Sequence, residues 1–255
     1  MWRPGLIIAR YTLLEALRSK LPWLFVLAGA AALALAGFLQ QLALTESSAV
    51  QAALLASVLR IAAVFLLSAF VVTSLAREAA DKGQELLLAL PLPRAVYLLG
   101  KLAGFGALAL LPALLFGLVA AVWAAPAQSA LWAISLLGEL WIMAAFSLLC
   151  AASLPHALPA LAASGGFYLL ARSVGGLQLL AHGNTGSHGA FQQAIASAID
   201  ALALLLPDLD HFTRTEWLLY ATGNWHALGL VAAQTAIYVG LLASCALCDF
   251  YRRSF

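Results

Sequence analysis

Apolar positions in this chain come in long unbroken runs rather than in narrow stripes or alternating pairs. Six runs, at about 21–43, 54–76, 102–125, 130–154, 159–180 and 227–249, stand out. Each supplies the roughly 20 mostly apolar residues that a helix needs to cross about 30 Å of hydrocarbon. The alternation of a barrel is missing, and a bilayer offers exposed backbone no hydrogen-bond partner, so such runs close their bonds internally as helices. The pattern predicts an all-α integral membrane protein, one domain over residues 1–255 with six transmembrane helices.

The polar positions divide the rest. Residues 5–20, GLIIARYTLLEALRSK, are too polar to span. Leu6, Ile7, Leu13, Leu14 and Leu17 gather on one helical side with Arg10, Glu15 and Arg18 elsewhere, the pattern of an amphipathic helix lying in the interface. A simple surface anchor is the plainer alternative. The first run is too long for a signal core and lacks a small-residue cleavage site, so it is expected to be retained.

The long loop at 181–226 opens on the Gly-rich HGNTGSHG, turns helical through AFQQAIASAIDALALLL and stops at Pro207 in PDLDHF. That helical part is short for a crossing, which predicts a re-entrant or surface segment.

Composition agrees with the pattern: 64% of residues are hydrophobic, 9% are charged and mean hydropathy is +0.97, against about 25% charged in soluble domains. The net charge of +2 says little, but its distribution says much. Arg3, Arg10, Arg18, Lys20, Arg77, Lys82, Arg94, Lys101, Arg252 and Arg253 fall on one side if both termini share it, whereas the other side carries only Arg214. The positive-inside rule then makes both termini and the loop at 77–101 cytoplasmic.

That loop, REAADKGQELLLALPLPRAVYLLGK, is the most charged stretch of the chain. Its leucines 86, 87, 88 and 90 cannot all face lipid while Glu78, Asp81, Lys82 and Glu85 stay in water, so another protein is expected to cover part of it. Pro91 and Pro93 end the short helix. An ordinary solvated loop with snorkelling bases is the competing reading.

Three segments carry a resemblance: IARYTLLEALRSK, REAADKGQELLLALPLPRAVYLLGK and LLLPDLDHF. In order and spacing they resemble the type-2 permease family of ABC transporters, the membrane subunits of exporter-like complexes in the bacterial cytoplasmic (inner) membrane. The resemblance implies that Glu78, Gly83, Glu85, Leu90, Pro91, Arg94, Tyr97, Gly100 and Lys101 belong to a coupling segment docking on an ATPase subunit, to which Asp81, Leu86 and Leu87 are expected to add contacts. It implies that residues 5–20 are the connecting helix, and that Pro207, Asp208, Asp210, His211 and Phe212 belong to outer helices capping an exit. It further implies two ATPase subunits and a second permease subunit, an identical copy in the simplest case.

The chain itself carries no ATP site. A P-loop needs spaced glycines to cradle phosphates, then Lys and a hydroxyl residue, and LGKLAG at 99–104 lacks both the upstream glycine and the hydroxyl. The chain is therefore expected to be no enzyme and to bind no cofactor, with ATP and Mg on the partner subunit. Nucleic acid is not an expected partner.

Ionisable residues within spans are costly and raise a functional hypothesis by default. Glu139 and Arg172 fall roughly 12–14 Å below the outer surface at about 1.5 Å per residue, with Arg60 at similar or shallower depth. A Glu139–Arg172 pair is expected, Arg60 being an alternative or additional partner. Either the pair locks helices together or the three line a polar part of a substrate path.

Weaker signals remain. His182, His188, His211 and His226 share the outer loop with Asp208 and Asp210, a mix able to ligate a transition metal, and one branch of the resembled family serves copper-site assembly. No fixed metal spacing is present and no metal is assigned. Cys245 and Cys248 form a lone C-x-x-C, read as small packing residues. Gly100, Gly104 and Gly106 permit close helix approach. A secondary transporter relaying ions through Arg60, Glu139 and Arg172 is the alternative function, although no internal repeat supports it. An intramembrane enzyme would need a motif such as H-E-x-x-H, which is missing.

Overall fold

Helices form all the regular structure among the described residues, which in this computed structural model are 3–42, 47–81, 93–183 and 190–252. Helix α1 (Arg3–Arg18) turns into α2 (Leu21–Leu42), and α3 (Ser47–Ala80), α4 (Arg94–Ala120), α5 (Pro126–Ser153) and α6 (Ala157–Gly183) follow. Then come α7 (Ala190–Leu205), a 3-10 turn (Leu209–His211), the short α8 (Thr215–Tyr220) and α9 (Trp225–Arg252).

Local chemistry sets these boundaries. Ser19 Oγ donates to Ala16 O at 2.6 Å and accepts from Leu21 N at 3.1 Å, closing one helix and opening the next. Pro93 precedes α4 in an extended conformation (φ −60°, ψ 132°), and Pro126 begins α5, where its missing amide costs nothing. The charged loop is consequently shorter than its sequence suggests. Residues 77–80 finish α3 and residues 94–101 start α4, because no helix breaker intervenes in either stretch.

Among the described residues, five helices are long and apolar enough to cross a membrane, in α2, α3, α4, α5 and α9, which makes this a multi-pass membrane protein. The remaining expected span, 159–180, lies in α6, a continuous helix of 27 residues. Gly165, Gly166, Gly175, Gly176, Arg172 and Gln178 dilute its apolar character below that of the other five.

Helix α5 is the axis of the bundle. It packs against α9, α4, α3 and α6, and Trp132, Leu136, Leu140, Ile142 and Met143 are wholly buried along it. Dispersion and close fit, rather than exclusion of water, hold such a core in lipid.

Helix α1 docks along α4 through small residues. Gly5, Thr12 and Ala16 are buried in this contact, whereas Leu6, Ile7, Leu14 and Leu17 remain uncovered by the protein. A Cβ on Gly104 would come within 2.7 Å of Thr12 Cβ and 2.9 Å of Ala9 O, and one on Gly100 within 2.9 Å of Gly5 O. Backbone cannot yield as a side-chain tip can, so Gly104→Leu is expected to lift α1 away at a cost of about 1–3 kcal/mol. The measurement is thermal unfolding together with tryptic cleavage at Arg10 and Arg18. Gly106→Ala is the control, since its Cβ would lie 3.6 Å from Trp141 Nε1 in ordinary contact.

Candidate functional site

Side-chain chemistry concentrates at the two ends of the bundle. At one end Glu78, near the close of α3, takes an ion pair from Lys101 Nζ and a hydrogen bond from Tyr97 Oη at 2.7 Å, both on α4. Lys101 is only 4% exposed. At this same end Ser74 Oγ donates to Glu15 Oε1 of α1 at 3.1 Å. Arg94 donates to Phe250 O at 3.3 Å, and Ser153 donates to Asp249 Oδ2 at 2.9 Å. Tyr97 stacks on Phe250 with ring centroids 6.0 Å apart. Helices α1, α3, α4, α5 and α9 are thus tied at one level, immediately around the ends of the segment at 82–92.

The coupling residues divide accordingly. Glu78, Tyr97 and Lys101 form the tie, Arg94 anchors α9, and Asp81 is exposed, its amide donating to Arg77 O at 2.9 Å. Gly83, Glu85, Leu86, Leu87, Leu90 and Pro91 lie outside the described residues. On α1, Arg10 and Arg18 are exposed.

At the other end, the stretch from Leu206 to Leu218 plugs into the bundle. Leu206, Pro207, Leu209, Phe212, Trp217 and Leu218 are buried, and Gln128 at the start of α5 clasps Gly223 through its amide group. The 3-10 turn is set by Asp208, whose Oδ1 accepts from Asp210 N at 3.2 Å and whose Oδ2 lies 2.7 Å from His211 Nδ1. Asp210 and His211 are exposed, as is His226. Among the described residues no three His, Cys, Asp or Glu side chains gather where they could hold a metal ion.

Thr213 is the centre of this end. It is fully buried and adopts φ 45°, a left-handed conformation that is rare for a β-branched residue and costs on the order of 1–3 kcal/mol. Its polar groups compensate. Its amide donates to Ser135 Oγ at 2.9 Å, its hydroxyl donates to Glu139 Oε2 at 2.8 Å, and its carbonyl accepts from an Arg60 guanidinium nitrogen at 3.2 Å. Arg172 completes the arrangement by donating to Leu209 O and, at 3.0 Å, to Phe212 O, with its Nε 3.9 Å from Asp210 Oδ1.

The three charges expected within spans therefore meet, but through an intermediary. Glu139 is within the electrostatic reach of both Arg172 and Arg60, and the expected Glu139–Arg172 pairing becomes shared custody of the 209–213 backbone. Guanidiniums satisfy the Phe212 and Thr213 carbonyls of that irregular segment, and Arg172 shares the Leu209 carbonyl with the Phe212 amide, which donates to it at 3.1 Å. Sequence reasoning missed Thr213, Ser135 and Tyr168, whose hydroxyl interacts with the Glu139 carboxylate. Ser135 and Tyr168 stand four residues before Glu139 and Arg172, on the same helix faces, a spacing that could have found them.

Comparison with protein-family models finds none that matches the chain, and comparison with curated proteins finds no match either.

Proposed function

We propose that the chain is the membrane subunit of an ATP-driven transporter of the ABC type-2 permease class. In this reading α6 is the fifth of six spans, both termini face the cytoplasm, and the membrane is the bacterial inner membrane. Two ATPase subunits bind the 82–92 segment and a second copy of the chain completes the pathway. The three resembling segments support it, and the observation that carries it is the Glu78–Lys101–Tyr97 tie. A push on a loop between two independent helices would bend the loop. When the helices are cross-linked by a part-buried ion pair just beside it, the push moves them together as a rigid unit.

The outer end has a matching part. A plug held by Arg60, Glu139 and Arg172 closes the bundle at Thr213, and a shift of α3 along α5 would change Arg60's grip on it. ATP hydrolysis stays on the partner, which bears the nucleotide and Mg, and the chain contributes movement rather than chemistry.

Glu85→Arg and Leu87→Asp are expected to abolish recovery of the ATPase subunit in pull-downs from membranes, and with it ATP-dependent transport. Undiminished recovery and activity in both variants would remove the docking segment from the proposal.

A further inference from the structure

A cleft of about 320 Å³ lies between the plug and the first turns of α9, walled by Asp208, Arg214 and Trp217 on one side and Leu230, Val231 and Gln234 on the other. Sites for small ligands begin at about 300 Å³, so the cleft is the size of a headgroup rather than of a whole lipid. Asp208 and Arg214 share it without pairing: the contact of Asp208 is with His211, and among the described residues no hydrogen bond or ion pair engages the side chains of Arg214, Trp217 or Gln234. None of their polar atoms is sealed off as Trp132 Nε1 is in the core. Trp217 is 4% exposed, and an indole N–H buried to that degree ordinarily has a partner. Tyr220 and Trp225, 70% and 72% exposed, mark the level at which the bilayer interface meets this end of α9. Leu230, Ile237 and Leu241, each more than half exposed, continue down one side of the helix from there.

We propose that this cleft binds the head of a zwitterionic phospholipid with a primary amine, a phosphatidylethanolamine, from the leaflet at this end of the bundle. Separated opposite charges in one small site match a ligand that is neutral as a whole and carries both. Arg214, Trp217 and Gln234 donate to the phosphate oxygens. The ammonium meets Asp208, whose carboxylate oxygens retain lone pairs beyond those engaged by the Asp210 amide and His211 Nδ1. That carboxylate acts electrostatically on Tyr238 of α9, so its charge is felt on the α9 side of the cleft. The tails then run along Leu230, Ile237 and Leu241 into the bilayer. Phosphatidylglycerol would bring its negative charge beside Asp208 with no cation to offset it, and a choline head has no N–H to donate to the carboxylate. The site requires no ATPase and stands or falls apart from the permease reading.

The test uses the full chain in phosphatidylcholine nanodiscs carrying a trace of phosphatidylethanolamine with a diazirine near the head end of one acyl chain, and labels are mapped by mass spectrometry. The phosphatidylcholine host is itself a competitor in large excess. Saturable labelling is expected along residues 230–241 of α9, displaced by unlabelled phosphatidylethanolamine and about tenfold less effectively by phosphatidylglycerol. Glycerophosphoethanolamine, the same head without tails, is expected not to displace it. Arg214→Gln should abolish the saturable labelling and Arg214→Lys should keep most of it; Arg214 makes no side-chain cap bond to α8, so neither change unsettles that helix. Asp208→Asn keeps an acceptor for the Asp210 amide and is expected to make phosphatidylglycerol as good a competitor as phosphatidylethanolamine. These changes with unaltered thermal unfolding support the site. Labels elsewhere or without saturation, equal displacement from the native chain by phosphatidylglycerol or by the soluble head, or labelling that survives Arg214→Gln overturns it.

Discussion

Replacing Glu139 by leucine is expected to lower stability by about 3–5 kcal/mol, the usual cost of leaving buried charge without its counterpart. The residue is fully buried, so water cannot take over its role. Two losses coincide in the variant. The Thr213 hydroxyl forfeits its acceptor at 2.8 Å, and Arg60 and Arg172 lose the carboxylate that offsets their charge. The plug should loosen along with the bundle, since the left-handed turn at Thr213 persists only while its surroundings hold it. Thermal unfolding in detergent reads the first effect. The second is read by a cysteine at position 212, wholly buried in the native chain, in a background with Cys150, Cys245 and Cys248 replaced; it should become reactive to a membrane-impermeant thiol reagent. Glu139→Gln, which retains an acceptor for Thr213, should fall between the native chain and Glu139→Leu. A leucine variant as stable as the native chain, with position 212 still protected, would show that the carboxylate holds nothing in place.

The same site marks how far the chain can be read without its structure. Long apolar runs are legible because a bilayer allows backbone few alternatives, and Glu139, Arg60 and Arg172 are legible because charge in hydrocarbon demands an explanation. Their partners are another matter. Charges were expected to seek charges, but the guanidiniums find backbone carbonyls in an irregular segment far away in sequence, and no local pattern announces that a threonine will turn left-handed there. On helix α1 the exposed apolar side was legible and the packing side was not. Hydropathy gives weight to Leu6, Ile7, Leu14 and Leu17, which the protein leaves uncovered, and little to Gly5, Thr12 and Ala16, which do the packing. Gly100 and Gly104, by contrast, were readable, since their spacing has few uses other than close approach. Gly106 shares that spacing without that role: its carbonyl accepts from Trp141 Nε1 at 3.0 Å.

The tie beside the charged segment permits a prediction that separates structural from partner-facing roles. Glu78→Lys and Lys101→Glu, made singly, each place two like charges where an ion pair now sits, and each is expected to cost about 3 kcal/mol or more. The Glu78 side chain is 24% exposed and that of Lys101 5%, so Lys101→Glu, which buries a new carboxylate most deeply, should suffer the larger loss. The double exchange restores opposite charges across the same gap and should recover most of the lost stability, with Tyr97 still able to donate to an acceptor at position 101 or to lose only one hydrogen bond. Thermal unfolding of the four proteins gives the coupling directly as a double-mutant cycle. Stimulation of ATP hydrolysis by the proposed ATPase partner is then measured on the same set. If the pair works by binding α3 to α4, stimulation returns with stability in the exchanged protein. If Glu78 instead meets a basic residue of the ATPase, the exchanged protein is stable but uncoupled, because a lysine now stands where the partner expects a carboxylate. Stability that stays low after the exchange would mean that the buried pair does not join the two helices, and the rigid transfer of motion past the 82–92 segment would have to be abandoned.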